Sequence, residues 1–193
     1  MQVSVIGGAT GSGKTTVILA LCKYLSGKEK RLGIIIQEKG QADYDEEMLK
    51  GFGIETREID SVCIPCSLNM DIRSNLMSLN EEFGPDIVFI ETGETVIPHK
   101  IKIDIERMEL PNIEFLPTVV VVNAEDFEIE EGQLIEYKRK QLESAEIVYI
   151  NKTDVADKAV VSRIEKLVSD INQQARILRA TAKGSEELRN LLF

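Results

Sequence analysis

The chain has 193 residues, 43% of them hydrophobic, and 23 basic against 33 acidic side chains leave a net charge of −10. That balance argues against sequence-independent nucleic-acid binding, which needs a cationic footprint to displace counterions, and against docking on an anionic membrane. No apolar run approaches the roughly 20 residues that span a bilayer, and no signal-peptide pattern precedes the first glycine loop, so the expectation is one cytoplasmic domain over 1–193 with no nucleic-acid or membrane partner.

In chain order, residues 3–6 read as a strand, followed by a glycine loop and a helix over about 14–25. The continuous apolar run 32–37 is a buried strand, and 38–45 is a polar interruption without periodicity. Residues 54–59 alternate apolar and polar, as an edge strand does. Leu68, Ile72, Leu76, Leu79 and Phe83 fall at helical spacing, and Gly84-Pro85 ends that helix. Further strands are expected over 86–90, 118–122, 146–150 and 176–179, with helices over 130–144, 158–173 and 185–192. The charged stretch 98–117 is either a mobile segment or a short helix. Alternation of this kind predicts an α/β fold: a P-loop NTPase with a doubly wound, mainly parallel sheet flanked by helices.

Gly8-Ala9-Thr10-Gly11-Ser12-Gly13-Lys14-Thr15 satisfies GxxxxGK[ST] at every fixed position, between a predicted strand and a predicted helix. Glycines let backbone N–H groups wrap phosphates, and the helix N-terminus adds partial positive charge. Lys14 is placed to reach the β- and γ-phosphates and the Thr15 hydroxyl to ligate Mg²⁺, with Thr16 beside it in the nucleotide site. Asn151-Lys152-Thr153-Asp154 ends the strand 146–150. A carboxylate there can accept two hydrogen bonds from guanine N1 and N2, where adenine offers no matching donors. Asn151 is read as facing the O6/N7 edge, and Lys152 as packing its stem on the ring. The bland alternative is a strand-ending turn in which Asp154 caps the next helix. Thr181-Ala182-Lys183 ends the last strand where a second base-contacting loop belongs.

With these motifs in order, the chain resembles the metal-insertion GTPases of the CobW, UreG and HypB type, within the SIMIBI class of P-loop proteins. Gln37-Glu38-Lys39-Gly40-Gln41 with Asp45 is similar to the CobW-type switch segment. Val88-Phe89-Ile90-Glu91-Thr92-Gly93 resembles the Walker-B strand in which this family carries Glu. Val120-Val121-Val122-Asn123-Ala124 resembles the family's Val-Val-Asp-Ala, and Gln141-Leu142 with Ala145 leads into Asn151-Lys152-Thr153-Asp154 as in the family. The resemblance implies Mg²⁺ held by Thr15, Glu91 and Asp45, with Lys14, Asp45 and Glu91 as the catalytic group. Asp45 would orient the attacking water or join the metal shell. One departure stands out: the family's Glu-x-x-Gly element has Glu94 at its fourth position here. Either Gly93 serves one residue early or switching is weak. Ending at Phe193, the chain is expected to lack the C-terminal domain of longer CobW-type proteins.

Cys63-Ile64-Pro65-Cys66 stands where CobW-type proteins carry Cys-x-Cys-Cys and UreG carries Cys-Pro-His. Two thiolates half coordinate a soft or borderline divalent ion, and a twofold dimer supplies four. The alternatives are a redox pair, or two small cysteines without a ligand. Cys22 is expected in the core. His99 is either an extra metal ligand or a solvated loop histidine.

The resulting expectation is a GTP-binding metallochaperone. Mg²⁺-dependent GTP hydrolysis, slow without an arginine finger, couples a GTP- and metal-linked homodimer to delivery of Ni²⁺, Co²⁺ or Zn²⁺ to an unidentified client metalloprotein. Two other classes remain: a small-molecule kinase using the P-loop, and a non-catalytic module that senses GTP and docks on a partner.

Overall fold

The computed structural model describes residues 1–37, 45–59, 65–127, 134–179 and Leu191; the side chains at 46, 48 and 65–69 are outside the description. Eight strands form one sheet: β1 (Gln2–Gly8), β2 (Leu32–Ile36), β3 (Ile54–Glu58), β4 (Ile87–Glu91), β5 (Glu114–Phe115), β6 (Val119–Asn123), β7 (Ile147–Asn151) and β8 (Arg176–Arg179). Seven of them run in the order β3-β2-β4-β1-β6-β7-β8, with β5 paired to the start of β1, and every pairing is parallel. Between them lie α1 (Lys14–Ser26), α2 (Glu46–Gly51), α3 (Pro65–Glu82), α4 (Pro98–Glu106), α5 (Glu136–Ser144) and α6 (Lys158–Ile171).

Strand side chains alternate between two faces, and that period of two divides the central strands between separate cores. On one face Ile6, Ile34, Ile36, Phe89, Val119, Val121 and Tyr149 pack against Val17, Ile18, Leu21, Cys22 and Leu25 of α1. On the other, Val3, Val5, Ile35, Val88 and Ile90 meet Ile72, Leu76 and Leu79 of α3 and Ile101 and Ile105 of α4. Further along that face Val120, Val122, Val148 and Ile150 meet Leu142 of α5 and Val161, Ile164 and Val168 of α6. Both faces are covered, so the central strands read as unbroken apolar runs. At β2, Gly33 leaves room for α3: a Cβ there would lie 2.5 Å from Leu79 Cδ2.

The stretch 98–117 is neither loop nor wholly helix. Pro98 occupies the first turn of α4, where its missing N–H costs nothing, and Ile101 and Ile105 are the buried positions of that helix. Glu114 and Phe115 then pair with Gln2 and Val3 before Pro117 and the start of β6. The six-residue α2 follows the polar interruption and carries no strong pattern in the sequence. The helix expected over 130–144 is described as Glu136–Ser144; Ile135, at φ −55 and ψ 138, precedes it in extended geometry. The helix expected over 185–192 lies outside the described residues, apart from Leu191, which is buried in the α1 core.

Parallel pairing puts the carboxyl ends of the strands on one edge. Ile6 stands opposite Glu91, Gly8 opposite Val121, and Asn123 opposite Asn151. The chain leaves β1 toward β4 and β2 and leaves β6 toward β7. The loop after β1 therefore sits where the strand order reverses, the crevice in which open α/β sheets bind ligands.

Candidate functional site

The loop from Gly8 into α1 is shaped by residues that only glycine can supply. Gly8 has φ 138, and a Cβ there would lie 2.2 Å from the Val121 carbonyl oxygen. Gly13, with φ 97, lies so near Asn151 that a Cβ would be 2.3 Å from its Nδ2. Lys14 is 7% exposed, and its Nζ donates to the carbonyls of Gly8 (3.0 Å) and Ala9 (3.1 Å), folding the ammonium back into the loop. The Ser12 hydroxyl is buried with no partner among the described residues. A buried cation, an unpartnered hydroxyl and the N–H groups opening a 13-residue helix suit a phosphate chain.

At the end of β4, the Thr15 hydroxyl donates to Glu91 Oε1 at 2.8 Å, and both side chains are buried. Two hard oxygens meet here beside the phosphate cradle, the donor set that suits Mg²⁺. Thr16, one residue further into α1, is exposed. Asp45 is exposed just before α2, where its carbonyl accepts from the Leu49 N–H at 2.9 Å. Residues 38–44, the rest of the switch segment, lie outside the described part.

The Asn151-Lys152-Thr153-Asp154 loop meets the P-loop directly. Asn151 Nδ2 donates to the Ser12 carbonyl at 2.9 Å, fastening this loop to the phosphate loop. Lys152 takes φ 59, a left-handed conformation that is costly for a side-chain-bearing residue, and its Nζ lies 3.4 Å from Glu125 Oε2. Asp154 is exposed and makes no hydrogen bond or ion pair among the described residues. The cap of α6 is Asp157, which accepts from the Ala159 N–H at 2.8 Å. The bland reading of Asp154 as a helix cap is therefore wrong, and its carboxylate faces outward. Thr181, Ala182 and Lys183 lie outside the described residues.

Beyond Glu91 the chain turns, with the Val96 N–H on the Gly93 carbonyl at 3.1 Å. The Gly93 N–H donates to Gln37 Oε1 at 3.1 Å, joining the ends of β4 and β2. Glu94 reaches both ways: Oε2 accepts from the Thr10 hydroxyl of the P-loop at 3.1 Å, and Oε1 from the Tyr137 hydroxyl of α5 at 2.9 Å. Gln141 Nε2, buried on α5, donates to the carbonyls of Glu94 (2.8 Å) and Val96 (2.6 Å). The Tyr137 hydrogen bond holds the Glu94 carboxyl below the usual carboxylate range against the upward push of burial. The Thr10 hydrogen bond and the Lys138 and Lys14 charges act in the same direction as Tyr137. Sequence reasoning singled out Glu94 but missed Tyr137, since a lone tyrosine on a charged helix carries no signal.

Among the described residues no group of three or more His, Cys, Asp or Glu is arranged to hold a metal ion. Cys63 lies outside the described residues; the backbone of Cys66 is in the first turn of α3, its side chain outside the description. Cys22 is in the core, as expected, and burial pushes its thiol far up. His99 is not a solvated loop residue: it sits in the first turn of α4 with Nδ1 buried and without a partner among the described residues.

A parallel sheet with a complete P-loop at its reversal point, facing an Asn-Lys-Thr-Asp loop, defines a P-loop nucleotide-binding domain. Residues 2–179 match the family model described as CobW/HypB/UreG, nucleotide-binding domain, and the chain belongs to that family. It is 30% identical over 201 residues to the zinc chaperone CobW of Sinorhizobium sp, covering 88% of this chain and 55% of that protein. It is 28% identical over 155 residues to the zinc chaperone YeiR of Escherichia coli K12, covering 79% of this chain and 47% of that one. The fold is similar to the crystal structure of HypB from Helicobacter pylori in complex with nickel, with TM-score 0.69 at 18% identity, over 98% of this chain and 82% of that one. The chain thus spans about half the length of the curated relatives it matches.

Proposed function

We propose that this chain is a GTP-hydrolysing metallochaperone domain, acting as one unit over 1–193. The observation that carries the reading is the buried Thr15–Glu91 contact at the mouth of a P-loop that Asn151 ties to the outward-facing Asp154. Family membership and relatives described as zinc chaperones support the metal half of the proposal.

Lys14 exchanges its two loop carbonyls for β- and γ-phosphate oxygens, and the amides of residues 9–15 wrap the same groups. Thr15 and Glu91 would hold Mg²⁺ directly or through water, and the ion would supply charge neutralisation for the terminal phosphates. Asp45 orients the attacking water or completes the metal shell. Asp154 reads guanine N1 and N2, with Lys152 against the ring plane and residues 181–183 closing over the base. Turnover is slow, because no arginine finger stands in the family's motifs. Cys63 and Cys66 take one Ni²⁺, Co²⁺ or Zn²⁺ as cargo, shared between two copies in a GTP-linked homodimer, for transfer to a client metalloprotein.

Phosphate release measured with GTP and with ATP in the presence of Mg²⁺ tests the enzymatic half. Release from GTP but not ATP is expected, and Lys14→Ala is expected to abolish it while the circular dichroism spectrum stays that of the wild type. Equal release from both nucleotides, or full activity of Lys14→Ala, contradicts the reading.

A further inference from the structure

Glu94 occupies a place where a phosphate-binding site has little use for an anion. It is held from two sides, by the Thr10 hydroxyl of the P-loop and by the Tyr137 hydroxyl of α5, and its carbonyl is fixed by Gln141. It also lies within the field of Lys14, the cation that serves the β- and γ-phosphates. In a GxxxxGK[ST] loop the wrapped phosphates lie against the very residues among which Thr10 stands. A carboxylate fastened to Thr10 therefore competes with the terminal phosphate for space and for the charge of Lys14. A diphosphate reaches less far and leaves the Thr10 contact standing.

We infer that Glu94 is a specificity-determining latch, pinned between Thr10 and Tyr137, that disfavours nucleoside triphosphate relative to diphosphate and must swing clear before the γ-phosphate settles. Swinging clear breaks the Tyr137 hydrogen bond as well as the Thr10 one. The arrival of a third phosphate is thereby felt on α5, through a side chain that makes no contact with the base. The turn itself stays in place, because Gln141 holds the backbone carbonyls on both sides of it.

This inference rests on the reading of the P-loop as a nucleotide site, and its test separates the two. Affinities for GDP and a non-hydrolysable GTP analogue, and for ADP and the matching ATP analogue, are measured with Mg²⁺ for wild type, Glu94→Gln and Glu136→Gln. Glu94→Gln removes the charge and keeps the shape, and the triphosphate-to-diphosphate affinity ratio is expected to rise about tenfold, as removal of one nearby anion allows. Glu136→Gln removes an exposed charge from α5, the helix that carries Tyr137, where Glu136 pairs with Lys140, and should leave the ratio unchanged. An unchanged or lower ratio in Glu94→Gln, or an equal rise in both variants, overturns the latch. A preference for adenine nucleotides contradicts guanine recognition while the ratio still reports on Glu94; binding of neither base overturns both.

Discussion

On the proposed reading, base choice turns on Asp154. Its carboxylate is exposed, and α6 takes its cap from Asp157, which leaves Asp154 no competing structural duty among the described residues. Asp154→Asn replaces one acceptor with a donor at the guanine edge. GTP affinity is expected to fall at least about tenfold, roughly 1.4 kcal/mol, with xanthine nucleotides favoured in exchange. Isothermal titration with the two nucleotides checks this; an unchanged preference for GTP refutes it. Fold stability should hardly move, in contrast to changes at Asn151, which is buried against the P-loop. These two residues also mark what sequence resolves at this scale. The motif singles out both residues, but the contact of Asn151 with the Ser12 carbonyl depends on where β7 ends relative to the P-loop. That is a matter of sheet register, which spacing along one chain does not contain.

At the scale of elements, the segment from α4 to β6 is where charge hid structure. Ile101 and Ile105 lie one helical turn apart, a pattern too short to stand out among Lys100, Lys102, Asp104 and Glu106. The two-residue β5 is equally silent, since its partner Gln2 lies 112 residues before Glu114. One of those charges is structural. Lys102 Nζ donates to both oxygens of Glu146 at 2.9 Å, and the Thr118 N–H and hydroxyl donate to Glu146 Oε2, so a single carboxylate joins α4 to the starts of β6 and β7. Partial burial pushes the Glu146 carboxyl up, and the Thr118 and Lys102 hydrogen bonds outweigh it, holding the group below the usual carboxylate range. A carboxyl depressed in the folded state stabilises fully above its unfolded pKa of about 4.3, and that contribution is lost as pH falls through the folded value. Glu146→Gln should lower the melting temperature at pH 7 and narrow its gap to wild type as the pH drops below about 4. A gap that persists unchanged into acid would mean that the ion pair is not what Glu146 contributes.

The whole molecule was more legible than its parts. Continuous apolar runs at 32–37 and 118–122 mark strands buried on both faces, and only a sheet covered by helices on each side accommodates them. The P-loop then locates the site at the carboxyl edge, so fold and phosphate cradle follow from the same few segments. Cys63 and Cys66 stand apart from this logic: in the proposed role two thiols per chain would supply half a coordination sphere, to be completed by a second copy. Along the chain the pair lies between β3 and the body of α3, whose continuation leads to β4 and Glu91. In the proposed role as a metal site under nucleotide control, linkage requires metal and GTP to favour the same assembly by the same free energy.

The account is tested most directly by the metal content and mass of the protein loaded in turn with a non-hydrolysable GTP analogue and with GDP, each with Mg²⁺ and a slight excess of Zn²⁺ or Ni²⁺. One transition-metal ion per dimer is expected with the triphosphate, with less metal and more monomer with GDP. The Cys63→Ser, Cys66→Ser double variant should keep GTP binding and lose the metal. Metal bound equally in both nucleotide states, or one ion per dimer retained by the double variant, would contradict the claim that these cysteines carry cargo under nucleotide control.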